Sequence, residues 1–382
     1  MHICIICNEY PPSNHGGIGS FTKDLAIGLI DKGYKVSVIG IYSKYVLNIE
    51  ENIEENINGV EIQRYPFKEI SKSKKVNYLY NRYILREKII KLHKKEHIDI
   101  IEAPEHGGWI PLGTIKEIPL ITRLHSSTTL LNKRFSRLIS FFEKWQIKNS
   151  DFIISVSKYT AEETLKVFNL KKDYQIIYNS IKIPYRENRK QINKKMILFT
   201  GSIVPKKGVT ELIRAMNVVF KKFPKVELYL AGKNLYKIDN KNYEDYLRDF
   251  ISNKFQKNIH FLGSLDREKE LIPLLEQAYF CCFPSHIEAF SLAPLEAMAL
   301  EKAVIYTKYA SGKELIEDGV SGLLVDAKNH NDIADKIIKL LEDNRLCQTL
   351  AKNGKRRVDK MFSYEQWIKK NIKFYKDILD EK

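Results

Sequence analysis

Short continuous apolar runs recur along the whole chain, each leading into a turn-rich stretch and then into apolar positions at helical spacing. Runs of that kind belong to strands buried on both faces, the habit of a parallel sheet covered by helices. The opening shows the unit: a strand over Ile3–Cys7, a loop from Asn8 to Gly17, an amphipathic helix over Ile18–Lys32 and a second strand over Lys35–Ile41. Strands follow at 59–65, Ile98–Glu102, Pro119–Leu124, Asp151–Ser155 and Gln175–Tyr178, with helices over Asn132–Asn149 and Lys158–Phe168. Phe135, Leu138, Phe142 and Trp145 recur at helical spacing, which reads as core packing. Between Asn179 and Lys195 the periodicity stops and the residues turn polar, charged and proline-bearing, as a linker does.

The pattern then restarts. Strands at Met196–Thr200, Val226–Ala231, Ile259–Leu262, Tyr279–Phe283 and Val304–Thr307 alternate with helices that reach Phe223 or begin near Tyr243, Asp266, Pro294 and His330. A last amphipathic helix spans Tyr364–Leu379. Such alternation in two blocks predicts an α/β protein with two doubly wound, parallel-sheet Rossmann-like domains facing across a cleft. The expected domains are 1–180 and 195–363, with a terminal helix, 364–380, packing back on the first. A length of 382 residues suits two cores better than one.

Composition narrows the partners. Sixty-three Lys and Arg against 47 Asp and Glu give a net charge of +16, spread over both halves, which favours phosphate-bearing partners in general. No nucleic-acid reading motif is present, so nucleic acid is not an expected partner. Lys68–His97 holds ten Lys or Arg against three Glu. Its plain reading is a solvated helix, with Leu79, Tyr83 and Ile90 on one face and Arg82, Arg86, Lys88 and Lys91 on the others. The functional alternative is that Lys72, Lys74, Lys75, Arg82 and Arg86 rest on anionic lipid headgroups or on a phosphate-bearing acceptor. No run has the length of a membrane span and the start lacks a secretory leader, so the expected location is the cytoplasm, with 68–97 available to the inner face of the membrane. The five cysteines read as reduced core thiols, and Cys4 and Cys7, three apart on a strand, point to opposite faces.

The candidate chemistry sits in Pro284–Leu300, where a strand runs into a loop bearing Glu288 and then a helix bearing Glu296. A helix start after a strand end offers free N–H groups to a diphosphate, and carboxylates suit hydroxyls, a division that fits a nucleotide sugar. The string Pro-Ser, Glu-x-Phe-x-Leu, Leu-Glu-Ala-Met-Ala resembles the donor-site signature of the retaining glycosyltransferases of family 4, which have the GT-B fold. Seven residues separate its two glutamates, as in that family, while Ser291 stands where glycine is usual.

The resemblance implies a sugar transferred from a UDP- or GDP-linked donor to a hydroxyl of a saccharide or lipid-linked acceptor, in cell-surface glycan biosynthesis. Glu288, His125 and Lys207 would be catalytic. Glu288 would hold the transferred sugar, His125 would lie near it after the Arg-Leu-His-Ser strand end, and Lys207 would meet the diphosphate. Donor binding would also use Gly16, Gly17, Ser202, Lys206, Phe290, Ser291, Leu292 and, at the ribose, Glu296. Ser202 replaces the family's arginine, which shifts weight to Lys207 and Lys206. Asn179 matches the family's residue at the end of the first domain, whereas Ser180 and Lys182 depart from it. The nucleobase is expected against loops 232–235 and 263–267. The chain has no Asp-x-Asp, so no metal and no other cofactor is expected. The alternative is a sugar-nucleotide epimerase of the same two-domain shape.

Overall fold

A computed structural model describes residues 1–110, 115, 117–128, 136–183, 190–234, 236–238 and 240–380. Phe135, Leu235 and part of the expected linker lie outside the described residues. The chain forms two compact units, one of Met1–Tyr178 with Glu365–Lys382, the other of Asn179–Tyr364.

Unit 1 runs β1 (His2–Ile6), α1 (Gly17–Ile30), β2 (Lys35–Tyr42), β3 (Ile53–Ile57), β4 (Val60–Pro66), α2 (Lys74–Lys95), β5 (Ile100–Pro104), β6 (Leu120–Leu124), α3 (Arg137–Asn149), β7 (Phe152–Ser155), α4 (Lys158–Phe168) and β8 (Gln175–Ile176). Its sheet has the order β3-β4-β2-β1-β5-β6-β7-β8. Every pairing is parallel except β3 with β4. Both neighbours of β1 are therefore parallel to it, and strand order reverses between β1 and β5, the switch point where ligands sit beyond the strand ends in doubly wound sheets. The sheet is apolar through its middle because both faces are covered; Ile3, Ile6, Val38, Ile100 and Ile121 are all buried.

The strand expected at 59–65 is β4, but the edge strand β3 that pairs with it as a hairpin has no counterpart in the sequence reading. The hairpin turns through Asn58 and Gly59, both at positive φ (53° and 84°), the conformation for which asparagine and glycine are the favoured pair.

In α2 the expected face is wrong. The buried stripe is Asn77, Asn81, Arg82, Leu85, Ile89 and Leu92, whereas Tyr83 is 50% exposed. Arg82 is fully buried and cannot face lipid: its Nε donates to Gly108 O at 2.8 Å, one terminal nitrogen to Gly107 O at 2.6 Å and the other to Tyr78 O at 3.1 Å. The guanidinium also lies 3.8 Å from the Phe142 ring centre and 4.8 Å from that of Trp109. Three carbonyls and two aromatic faces hold the cation more firmly than an interface could, although burial lowers its pKa to about 10.

The last helix, Tyr364–Asp380, belongs to unit 1 from Glu365 onward and buries Trp367, Ile368, Asn371, Phe374, Tyr375 and Ile378. Its anchor is polar. Arg123, fully buried on β6, donates to both carboxylate oxygens of Glu102 (2.7 and 3.1 Å) and to Asn371 Oδ1 (2.6 Å), and Tyr375 donates its hydroxyl to Glu102 Oε2 at 2.7 Å.

Unit 2 runs β9 (Asn193–Thr200), α5 (Val209–Lys222), β10 (Glu227–Ala231), the short hairpin β11–β12 (Lys237–Ile238 and Lys241–Asn242), α6 (Tyr243–Arg248), β13 (Ile259–Gly263), α7 (Ile272–Gln277), β14 (Ala278–Phe283), α8 (Leu292–Ala299), β15 (Ala303–Thr307), α9 (Gly312–Leu315), β16 (Leu323–Val325), α10 (His330–Glu342) and α11 (Asn344–Met361), after which comes α12 (Tyr364–Asp380). Its main sheet, β13-β10-β9-β14-β15-β16, is parallel throughout. The order reverses between β9 and β14, so the loops after those two strands share the switch point. All five cysteines are free and buried. No helix among the described residues is long and apolar enough to cross a membrane.

Candidate functional site

The loop after β9 carries Ser202, Lys206 and Lys207, and the loop after β14 carries Glu288, Phe290 and Ser291. The two are pressed together at one glycine. Gly208 has φ +69°, and a Cβ there would stand 1.8 Å from Pro284 O, so no other residue permits this approach. The His286 N–H donates to Lys206 O at 2.8 Å and closes the contact. In consequence the Lys207 ammonium, 20% exposed, ion-pairs with Glu288 Oε1, whose side chain is 14% exposed. Ser285 Oγ donates to the same carboxylate oxygen at 3.1 Å, and Ser311 Oγ to the Glu288 carbonyl at 3.3 Å. Ser202 and Lys206 are exposed on the same loop.

Ser291 is the residue before α8, extended at φ −80° and ψ 136°, and its side chain does not cap the helix. Leu292 opens the helix, whose first N–H groups have no intrahelical acceptor. Phe290 is buried against Phe362, with ring centres 5.4 Å apart, and its carbonyl accepts from Asn179 Nδ2 at 3.4 Å. That contact gives Asn179 a place in unit 2, next to the signature loop. Glu296 is 9% exposed on α8 and accepts from Arg267 Nε at 2.8 Å. The sequence reading did not single out Arg267, although it lies in the 263–267 loop assigned to the nucleobase. Behind the loop, His286 Nε2 sits 3.2 Å from Glu211 Oε2, and that hydrogen bond raises the imidazole pKa.

In unit 1, Gly16 precedes α1 and Gly17 begins it, with no acidic side chain in the first turn. A Cβ on Gly17 would meet nothing within 4 Å, so the space above that helix end is open. Gly19 has the packing role, since a Cβ there would lie 2.2 Å from Glu9 O. His125 follows β6 directly, edge-on to Phe21 with ring centres 4.5 Å apart. Burial, then Arg123 and His106, depress its pKa to about 3, so the ring is neutral at physiological pH.

The groups that hold His125 were invisible in the sequence. Its backbone N–H donates to Glu105 Oε2 at 2.8 Å, and that of Ser126, at φ 140°, donates to Glu105 Oε1 at 2.6 Å. Glu105 is fully buried, and burial raises its carboxyl pKa to about 8. Buried Glu143 adds negative charge nearby and accepts from Gly107 N at 3.0 Å and Thr128 N at 2.8 Å. No cluster of three or more His, Cys, Asp or Glu side chains able to hold a metal occurs among the described residues.

Two Rossmann-like units with these switch-point loops define the class: the architecture is that of the GT-B glycosyltransferases. Sucrose-phosphate synthase from Thermosynechococcus elongatus superposes with a TM-score of 0.81 over all of both chains, at 19% identity. Anabaena HepE in complex with UDP and glucose superposes at 0.70, covering 99% of this chain and 100% of its own, at 17% identity. Sequence gives the family. The Glycosyltransferase Family 4 profile matches residues 15–183 and that of Glycosyl transferases group 1 matches 184–357. A glycosyltransferase of Methanocaldococcus jannaschii is 31% identical over 88% of this chain and 90% of its own. The chain belongs to glycosyltransferase family 4 and is a glycosyltransferase; nothing in these likenesses favours the epimerase.

Proposed function

We propose that this enzyme moves a hexose from a nucleoside diphosphate sugar, UDP- or GDP-linked, to a hydroxyl of a saccharide or lipid-linked acceptor, with retention at the anomeric carbon, in cell-surface glycan biosynthesis. The observation that carries the reading is the meeting of Lys207 and Glu288 at the switch point of unit 2, beside the start of α8. The bond from the anomeric carbon to the diphosphate breaks and a bond from the acceptor oxygen forms on the same face. The nucleoside diphosphate leaves with the electron pair, and the acceptor proton passes to its departing oxygen.

Negative charge therefore grows on the diphosphate, where fixed donors act most strongly. Lys207 supplies an ammonium, Ser202 a hydroxyl, Lys206 a second cation, and the N–H groups around Ser291 and Leu292 the positive end of a helix. In the free protein Glu288 holds the Lys207 ammonium in place; with donor bound, its carboxylate also accepts hydroxyls of the transferred sugar. Glu296, oriented by Arg267, accepts the ribose hydroxyls. The family's pattern assigns the Gly16 and Gly17 amides to the diphosphate and His125 to the sugar, and a neutral imidazole can exchange hydrogen bonds with hydroxyls without adding charge. No step calls for a metal. The complex of HepE with UDP and glucose supports a UDP-sugar as the first donor to try. Exposed Lys72, Lys75 and Lys91 give the enzyme a basic face for the inner surface of a membrane.

The test is turnover of a nucleotide-sugar panel with the product anomer read by NMR. Glu288→Gln, which keeps size and removes charge, is expected to lower kcat by about tenfold or more with the fold intact. An inverted product would end the retention assignment, and a smaller loss would remove Glu288 from the chemistry.

A further inference from the structure

On the rim of unit 1, beyond the C-terminal ends of β2, β4 and β5, lies a cavity of about 690 Å³ lined by none of the donor-site residues. Its wall is aromatic. Phe67 meets Tyr78 edge-on at 5.7 Å and Trp109 at 6.5 Å, and Tyr78 and Trp109 are 6.3 Å apart. The wall is held from behind, since Arg82 packs on Trp109 and Tyr78 while bonded to Gly107 and Gly108. Three charged side chains complete the lining: Lys44, Lys74 and Glu69, all exposed. None of the three makes an ion pair among the described residues, in contrast to Lys207 and Arg123.

Each part has a chemical meaning. A fixed aromatic face with a negative quadrupole attracts the weakly positive C–H face of a pyranose and has little use for a free inorganic anion. An unpaired carboxylate accepts sugar hydroxyls. Two unpaired ammonium groups flanking that wall favour an anion carried by the same molecule, because charge-assisted bonds are stronger than neutral ones. A cavity of this size takes one or two sugar units.

We propose that this cavity is the seat of the acceptor, and that the acceptor is a saccharide bearing an anionic group next to the ring it presents: a phosphate, as in a lipid-linked sugar phosphate, or the carboxylate of a uronic acid. The inference rests on the transferase reading above and adds the acceptor's charge class to it.

The experiment measures binding directly, without donor, by ligand-observed NMR on the full chain. The probes are glucose 1-phosphate, glucuronic acid, methyl glucoside and inorganic phosphate. The two anionic sugars are expected to bind about tenfold or more tighter than either methyl glucoside or phosphate. The tighter of the two identifies the source, a sugar phosphate or an acidic polysaccharide. Lys44→Gln with Lys74→Gln, both on exposed side chains, should bring the anionic sugars down to the neutral one while leaving the neutral one unchanged. Trp109→Ala should weaken every sugar, and Trp109→Phe gives the same reading, less steeply, if the alanine variant does not fold. Equal binding of neutral and anionic sugars, phosphate binding as tightly as glucose 1-phosphate, or indifference to both sets of variants would each overturn the proposal. The thermal shift produced by UDP, read on the same variants, is expected to be unchanged. Loss of that shift in the unmodified protein would refute the donor reading alone and leave the cavity result standing.

Discussion

Replacing Arg123 by methionine tests how the C-terminal helix is held. The arginine gives Glu102 two charge-assisted hydrogen bonds, at 2.7 and 3.1 Å, and Glu102 is only 2% exposed. In Arg123→Met the carboxylate keeps the Tyr375 hydroxyl at 2.7 Å and loses its counter-charge, and Asn371 Oδ1 loses its donor. Breaking a buried pair from one side costs about 3–5 kcal/mol. For a unit of roughly 200 residues each kcal/mol moves the midpoint by about 2–4 °C, so Tm should fall by about 6–20 °C. Scanning calorimetry reads the shift. The companion variant, Arg123→Met with Glu102→Gln, removes both charges and leaves an amide that can bond Tyr375 and Asn371. It should recover more than half of the loss, because the penalty arises from the unpaired carboxylate and not from lost volume. A midpoint shift in the single variant below about 3 °C, or a double variant as unstable as the single one, would refute this account of the anchor.

Three other outcomes follow from particular groups. Glu105 has its pKa raised to about 8 by burial, so the folded state holds its proton where the unfolded chain has released it; its contribution to stability is full below about pH 4.5, falls as pH rises and is lost above about 8. Chemical denaturation across that range should show the decline, and Glu105→Gln should flatten it. Gly208→Ala must place a Cβ 1.8 Å from Pro284 O at φ +69°, so it should cost about 1–3 kcal/mol or more by denaturation and should displace Lys207, seen as a weaker UDP thermal shift. Lys72→Gln, Lys75→Gln and Lys91→Gln together should reduce co-sedimentation with phosphatidylserine vesicles without lowering Tm, whereas Arg82→Gln should lower Tm; unchanged vesicle binding in the triple variant would remove the membrane assignment.

The parallel strands were legible because a strand buried on both faces is an uninterrupted apolar run, as Met196–Thr200 and Tyr279–Phe283 are. The edge was not. Ile53–Ile57 contains Glu54, Glu55 and Asn56, and only the Asn58–Gly59 pair marked its turn. The face of α2 was misread for a related reason: its buried stripe includes two asparagines and an arginine, whose burial is decided by hydrogen bonds that no periodicity records, from Ser71 and Lys68 just before the helix to the asparagines and from Arg82 to the Gly107–Gly108 loop. At the site, a chain pattern could name Glu288 and Lys207 but could not show that they meet, since that depends on a glycine pressed against Pro284 O. Arg267 at Glu296 and Glu105 under His125 are of the same kind, contacts between residues 29 and 20 positions apart in the chain.

The return of the last helix has a consequence for how the polypeptide is made. Residues Asn179–Tyr364 form an unbroken stretch, so the second unit can be completed as soon as it has left the ribosome. The first unit, although translated earlier, must wait with Glu102 and Arg123 lacking Tyr375 and Asn371 until the helix that carries those two residues has been translated. Vectorial synthesis ordinarily lets the leading domain mature first; here the middle of the message is free to finish before its beginning.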